Sequence, residues 1–285
     1  MLSFTGMSKK QLLTTGLLCA FLAGCGGGDG DGGGYSNAGS GDGGGYSNTG
    51  DGGSDNSNSN ITVAGAAQGV WEGTDTNGYQ LDLVVLDNGA TYGTYSSSFW
   101  DGATSMVYGN TSASGAILNG SMTKVTFFDG SRDTISYSGS VEPENTLSIA
   151  MNDNSGATYT GSYLTAYEHP ISLEAIEGTY TGNAIIGSYN NGTNAVMTID
   201  QTGNISVSVA NYANCLGYGT VTPHNGTGIF DFNVTFGGDS DCPAPLAGGT
   251  VTGVAYPTAE NGTWAGIQVD AVAPSGGILW FSGSL

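Results

Sequence analysis

The side chains able to carry out acid–base or nucleophilic chemistry are few in this sequence. His169 stands before Pro170, and His224 lies in the turn-like segment 222–226. Imidazole is the side chain best suited to acid–base chemistry in proteins, but histidines in turns and linkers are usually only solvated. The nucleophile elbow Gly-x-Ser-x-Gly is missing, and the stretch 238–241, Gly-Asp-Ser-Asp, lacks the glycine that must follow the serine. We therefore predict no catalytic residues and a protein that is not an enzyme.

Carboxylates are abundant, but no pair of them can be assigned a joint role. A glycosidase needs two carboxyl groups placed across the scissile bond, and Glu72, beside Trp71, is the candidate we would test as an acid. The spacing Asp-x-Asx-x-Asx-Gly of an EF-hand is not met between residues 61 and 285. We therefore predict neither a metal site nor a cofactor.

The balance of charge excludes one class of partner. The chain has 24 acidic and 4 basic residues, a formal net charge of −20. Such a surface repels phosphate backbones, so we predict no nucleic-acid partner.

The first twenty-five residues have the layout of an export signal. Lys9 and Lys10 precede an apolar run from Leu12 to Phe21, and the run ends in Leu22-Ala23-Gly24-Cys25. A membrane-spanning helix needs about 20 apolar residues, so this shorter run is typical of a signal peptide. The last four residues resemble the lipobox of bacterial lipoproteins. A plain secretory signal with a cysteine at its cleavage site is the alternative.

The lipobox resemblance implies a location in the cell. It implies that residues 1–24 are a signal peptide, that Cys25 is acylated on its sulfur after cleavage in front of it, and that the mature chain is held in a membrane by its lipid. More than one acyl chain is needed for stable anchoring. Residue 26 is glycine, and an aspartate there is the inner-membrane retention signal of this class, so the resemblance implies the outer membrane.

Two further cysteines stand in the exported part of the chain. Cys19 leaves with the signal peptide and Cys25 carries lipid, so Cys215 and Cys242 remain. Two thiols in an oxidising compartment most simply form one disulfide. A zinc site is the alternative, which the absence of a Cys-x-x-Cys pair disfavours.

A linker follows the lipidated cysteine. Residues 25–60 contain glycine, aspartate, serine and asparagine with almost no apolar side chain, and one octapeptide occurs at both 30–37 and 41–48. Such a segment cannot bury enough apolar surface to offset the entropy of ordering. We predict a flexible tether with a root-mean-square span of roughly 30–35 Å.

Residues 61–285 read as short antiparallel strands. Apolar and polar residues alternate with period two at Leu81–Val85, Ile135–Tyr137, Ile205–Val209 and Phe230–Phe236. Asx-Gly pairs, which favour the positive φ of tight hairpins, separate these runs. They stand at 77–78, 88–89, 101–102, 119–120, 129–130, 191–192, 225–226 and 261–262. The pattern predicts a β-meander.

The meander is duplicated. Gly69-Val70-Trp71-Glu72-Gly73 matches residues 178–182, Gly-Thr-Tyr-Thr-Gly, and a helical turn capped by Ser172 is expected between the two units. We predict an all-β chain with two tandem small antiparallel barrels, β domain 1 at 61–166 and β domain 2 at 178–285, joined by a connector at 167–177. Closure would remove exposed strand edges.

Two resemblances bear on function. Gly69-x-Trp71 is similar to the first-strand motif of lipocalin barrels, and the plan of acylated cysteine, tether and two β units resembles surface lipoproteins of the transferrin-binding and factor-H-binding type. These imply a surface-exposed, non-enzymatic binding module for a protein, glycan or small-molecule ligand. The alternative is a lipocalin-like carrier of a small apolar ligand.

Overall fold

The computed structural model describes residues 65–97, 102–187, 193–210, 212–238, 242–243, 246–260 and 263–285. The fold is nearly all-β, with two closed eight-stranded antiparallel barrels, as the sequence predicts. Cys25 and the segments predicted to be a signal peptide and a tether lie outside the described residues. Within the described ranges, no helix is long and apolar enough to cross a membrane.

Barrel 1 is a simple meander closed on itself. Each strand pairs with the next along the chain, and the first pairs with the eighth. Its strands are β1 Gly69–Asp75, β2 Tyr79–Val85, β3 Ala90–Ser97, β4 Gly102–Ser114, β5 Ile117–Thr126, β6 Arg132–Glu142, β7 Thr146–Met151 and β8 Thr158–Tyr163.

Barrel 2 repeats this topology, and β9 pairs with β16 to close it. Its strands are β9 Gly178–Gly187, β10 Thr193–Ile199, β11 Asn204–Val209, β12 Tyr212–Pro223, β13 Phe230–Phe236, β14 Thr250–Glu260, β15 Thr263–Val272 and β16 Ile278–Ser284. A short helix, α1 (Leu173–Ile176), precedes β9, and Ser172 caps it by accepting a hydrogen bond from the Ala175 amide.

The predicted alternation decides which side chains enter the barrels. In β13, Phe230, Phe232, Val234 and Phe236 are buried while the residues between them are exposed. The same pattern holds in β11 and over most of β2. Because successive side chains of a strand point to opposite faces, one apolar row fills the interior and one polar row faces outward.

The turn predictions are confirmed at four Asx-Gly pairs and wrong at one. Gly78, Gly89, Gly130 and Gly226 all have positive φ and lie in turns between strands. The pair 119–120 lies instead inside β5, and the turn before that strand uses Gly115. Gly120 serves another purpose, because the phenol ring of Tyr137 occupies the space that a Cβ would need. The pairs at 191–192 and 261–262 lie outside the described residues, as does Asp101 of the pair 101–102, whose Gly102 begins β4.

The duplication reaches down to single hydrogen bonds. Trp71 in β1 donates its Nε1 hydrogen to the carbonyl of Ala67, 2.9 Å away, and Tyr180 in β9 donates its hydroxyl hydrogen to the carbonyl of Ile176, 2.8 Å away. Each barrel therefore has a short helical turn, Gly65–Ala67 or α1, whose carbonyl holds the first-strand aromatic side chain.

Both barrel interiors are filled by their own side chains. Trp71, Tyr95 and Tyr159 are at most 2% exposed in barrel 1, and Phe230, Phe236 and Phe281 are at most 2% exposed in barrel 2. Eight strands enclose an interior just wide enough for side chains to fill. The two cores are separate clusters, so each barrel is stabilised from within.

Candidate functional site at the junction of the barrels

The barrels pack against each other through the outer faces of their strands. Apolar clusters shared by both barrels line the junction, and one includes Val84 and Leu86 of barrel 1 with Val254 and Tyr256 of barrel 2. Near the other end, the rings of Phe127 and Trp280 lie 5.6 Å apart. Burial of this apolar surface makes the two barrels a single folded unit rather than two independent domains.

Thr94 is the centre of a buried polar cluster in this junction. Its Oγ1 donates to Oδ1 of Asp270 (2.8 Å) and accepts from Nε2 of Gln268 (3.1 Å) and from Nε1 of Trp280 (3.0 Å). A hydroxyl has one hydrogen to donate and two lone pairs, so Thr94 is fully satisfied. All three of its partners belong to barrel 2, and the cluster therefore fixes the register of one barrel on the other.

Two carboxyl groups beside this cluster are poorly compensated. Asp82 lies between Glu72 and Thr94 in the ladder, and its Oδ1 is shielded from solvent with no hydrogen-bond partner among the described residues. Burial, with repulsion from Glu72 and Asp270, raises its pKa to about 7. Burial raises the pKa of Asp270 to about 6, against the opposing effect of the Thr94 hydrogen bond. Near neutral pH the junction therefore takes up protons that free aspartates would release.

His224 joins the barrels at one edge of the junction. Its Nδ1 lies 2.8 Å from Asp231 of barrel 2, and its Nε2 lies 3.3 Å from Asp87 of barrel 1. The side chain is 8% exposed. Because a carboxylate occupies each ring nitrogen, His224 is positioned as a strut between the barrels rather than as a free base.

A cleft opens beside this strut. It has a volume of about 420 Å³, and Glu144, Tyr163, Glu168, His169 and His224 contribute to its wall. The structure thus brings together two histidines that the sequence placed in separate loops. Pockets with a few converging polar groups are the usual place for a bound ligand. A serine or cysteine nucleophile is missing from the wall of this cleft.

The other predicted site residues have structural surroundings. Glu72 is half-buried on the outer face of β1, where Oε1 accepts a hydrogen bond from Nε2 of Gln80. Trp71 lies in the core of barrel 1 and Trp280 in the junction. Trp100 and Ser240 lie outside the described residues. The cross-strand neighbour of Glu72, Asp82, is a second carboxyl group, but neither residue lines the cleft beside His224, so the glycosidase interpretation gains no support.

The predicted disulfide is present. Cys215 and Cys242 are bonded, with their Cα atoms 4.7 Å apart, and both are buried in the core of barrel 2. It ties β12 to the segment that precedes β14.

Sequence reasoning missed the junction cluster. Asp82, Thr94 and Asp270 all occupy outward positions of strands, and a polar residue at such a position is expected to face water. The one available signal was the stretch 267–272, Ile-Gln-Val-Asp-Ala-Val, in which a carboxyl group stands within an apolar strand.

Comparison with known proteins adds little. No family model and no curated protein matches the chain. Among solved structures, it is similar to the crystal structure of a protein of unknown function from the DUF3598 family of Nostoc punctiforme, with 10% identity and a TM-score of 0.26, over 77% of this chain and 96% of that one. A likeness this weak carries no argument about function.

Proposed function

We propose that the protein is a lipid-anchored surface lipoprotein that binds a partner without chemically changing it. The lipobox supports the anchor, and the folded part after residue 65 supports the binding role. The observation that carries the binding role is the filling of both barrels, because a filled barrel offers a ligand its outer surface and the junction instead of its interior.

The same observation argues against the alternative, a lipocalin-like carrier. A carrier of an apolar molecule needs an interior cavity, and here Trp71, Tyr95 and Tyr159 occupy one interior while phenylalanines occupy the other. The cleft beside His224 lies outside the barrels, along their junction, and so does a second groove lined by Tyr92 of barrel 1 and Thr220 of barrel 2.

The chemistry of the junction cleft supports binding rather than catalysis. A general base must have a nitrogen or oxygen atom free to accept the substrate's proton, and both ring nitrogens of His224 face carboxylates. The hydroxyl of Thr227 donates to the His224 carbonyl (2.7 Å), so it is oriented away from a role as an activated nucleophile.

The anchor is tested by metabolic labelling with an alkyne fatty acid in cells that express the full chain. We expect labelling of the wild type and loss of labelling in Cys25→Ser. Cys19→Ser is the matched control, because it removes a nearby cysteine outside the lipobox and should leave labelling intact. Equal labelling of Cys25→Ser would refute the anchor.

Display is tested by protease shaving of intact and lysed cells. We expect the barrels to be lost from intact cells. Protection until lysis would contradict the surface location. In that case, native mass spectrometry of the full chain in mild detergent would test the carrier, since a co-purified apolar molecule is its required outcome.

A further inference from the structure

The outer wall of barrel 2 carries a regular array of short polar side chains. One row crosses six strands, and strand register places its members side by side. The row consists of Thr179, Thr198, Ser206, Tyr218, Thr235 and Thr250. Neighbouring strands are about 4.8 Å apart, so six hydroxyl groups follow one another over about 24 Å of wall.

Two further rows flank the first. On one side lie Thr181, Val196, Ser208 and Leu216, and on the other lie Asn204, Thr220, Asn233 and Thr252. We call these fourteen residues the hydroxyl face. Their side chains point outward because the alternate residues of the same strands are buried in the core.

The hydroxyl face contains no charge. This stands out in a chain with 24 acidic residues, because the described acids near it lie in turns or at its edge. Asp200 is held in the turn before β11, and Asp231 is bound to His224. Among the described residues that line the second groove, the one carboxylate is Asp231, which His224 contacts at 2.8 Å, and the fourteen positions of the face itself carry no charge. The net charge of the chain repels polyanions.

The face has an exposed aromatic ring at its centre. Tyr218 is 60% exposed, and Leu216 beside it is 37% exposed. An aromatic ring offers a flat apolar surface, and a tyrosine also keeps a polar hydroxyl at its tip. Protein interfaces have cores enriched in aromatic and other large apolar residues, whereas here one ring is surrounded mostly by hydroxyl and amide groups.

The hydroxyl face continues into a groove between the barrels. This groove has a volume of about 370 Å³, with Thr220, Asn233 and Thr252 of the face on one wall and Asn88 and Tyr92 of barrel 1 on the other. The array is curved, because its central row crosses six of the eight strands of a closed barrel, and the groove gives it a border with an aromatic side chain.

We propose that the hydroxyl face and this groove bind a neutral polysaccharide. Such a polymer is uncharged, presents rows of hydroxyl groups that both donate and accept hydrogen bonds, and has apolar C–H faces that pack on an aromatic ring. Each property matches one feature of the wall: the missing charge, the row of hydroxyl groups and Tyr218. The inference rests on the proposed binding function and names its partner class.

The test is affinity electrophoresis of the full chain in mild detergent. The gels contain hydroxyethyl cellulose, dextran, galactomannan or, as a polyanion control, alginate. We expect at least one neutral polymer to retard the wild type and alginate to have no effect. Tyr218→Ala should weaken retardation about tenfold or more, as truncation of a central aromatic contact does.

A matched pair of charge insertions separates binding from folding. Ser206→Glu places a carboxylate in the central row of the hydroxyl face and should abolish retardation. Ser138→Glu places the same carboxylate at an exposed outward position of β6 in barrel 1 and should leave it unchanged. Equal melting temperatures of the two variants show that both fold.

Three outcomes overturn the proposal. They are no retardation by any neutral polymer, equal retardation of the wild type and Tyr218→Ala, and, in sedimentation, a dimer that Tyr218→Ala dissolves while no polymer binds. The last would assign the face to a second copy of the chain. None of them affects lipid labelling or shaving, so failure here is distinguishable from failure of the proposed function.

Discussion

The two barrels share one topology and fill it with different chemistry. In barrel 1 the buried aromatic side chains carry hydroxyl groups with specific partners: Tyr95 donates to Sδ of Met151 (3.2 Å), Tyr159 to the carbonyl of Leu81 (3.1 Å), and Tyr137 shares a hydrogen with Thr111 (2.5 Å). Barrel 2 keeps one such side chain, Tyr180, and otherwise uses phenylalanines and a disulfide.

This difference shows that the residues that determine the barrel topology are not the same as those that determine how each core is stabilised. The inward positions and the turns are common to both barrels, so the period-two pattern determines closure. The identity of each inward residue determines only how that interior is stabilised, by directed hydrogen bonds in barrel 1 and by apolar packing with a covalent link in barrel 2.

The largest expected effect comes from removing the first-strand aromatic side chain of barrel 1. Trp71→Ala should lower the free energy of unfolding by about 3–5 kcal/mol, because it empties a fully buried site. Tyr180→Ala, at the equivalent buried position of β9, is the counterpart in barrel 2. If the junction makes one unit of the two barrels, calorimetry will show one transition that shifts in both variants. Two separate transitions would contradict this.

The next effect concerns the covalent link that the described part of barrel 1 does not have. The double change Cys215→Ala and Cys242→Ala should lower the free energy of unfolding by about 3–4 kcal/mol, from the entropy of a loop of 27 residues. Urea titration measures this. Dithiothreitol should reproduce the loss in the wild type and have no effect on the double variant.

A smaller effect, dependent on pH, belongs to the junction. Asp82 and Asp270 bind protons more tightly in the folded protein than at the ordinary pKa of 3.8, with pKa values of about 7 and about 6. Their contribution to stability is therefore complete below pH 4 and falls as the pH rises towards 7. Asp82→Asn should therefore be more stable than the wild type at pH 8 and similar to it at pH 4.

Thermal melts at pH 4, 6 and 8 check this prediction. Glu72→Gln is an intermediate comparison: it removes one charge that raises the pKa of Asp82 and leaves both aspartates, so its gain in stability at pH 8 should be smaller than that of Asp82→Asn. A constant difference between Asp82→Asn and the wild type at all three values would show that the aspartate is not the titrating group.

The smallest expected effect comes from exchanging equivalent residues. Tyr159 of barrel 1 and Phe281 of barrel 2 each stand two positions before a glycine that pairs with the first strand, Gly161 or Gly283. Tyr159→Phe should cost about 1 kcal/mol through the lost hydrogen bond to Leu81. Phe281→Tyr should cost at least as much if its new hydroxyl finds no partner. Urea midpoints that do not move would show that the two cores are interchangeable.

The strands and barrels could be predicted from the sequence because they depend on local signals. Alternation of apolar and polar residues predicts β11 and β13 directly. The pairs Asn77-Gly78 and Asn225-Gly226 predict the turns that precede β2 and β13. The Asn119-Gly120 prediction was wrong because a glycine can also be needed within a strand where a side chain approaches closely. Only the pairing of Gly120 with Tyr137 on the neighbouring strand β6 distinguishes the two cases.

The junction could not be predicted because it depends on the docking of two finished barrels. Thr94 and Asp270 are outward residues of strands in different barrels, and nothing local tells an outward residue that meets water from one that meets another barrel. The same holds for His169 and His224, which meet in one cleft only after both barrels have closed.

The pairing of first with last strands sets the order in which the chain can fold. Barrel 1 has all its strands once Tyr163 has emerged from the ribosome or a translocation channel. Strand β9 of barrel 2, in contrast, lacks its closing partner until β16 follows. Strand β16 also carries Trp280, which contacts barrel 1 in the junction. Domains of a growing chain generally fold from the N-terminal end. We therefore expect a partly synthesised chain to have a closed barrel 1 and an unclosed sheet formed by the first strands of barrel 2. The last strand, β16, then completes both the closure of barrel 2 and its contacts with barrel 1.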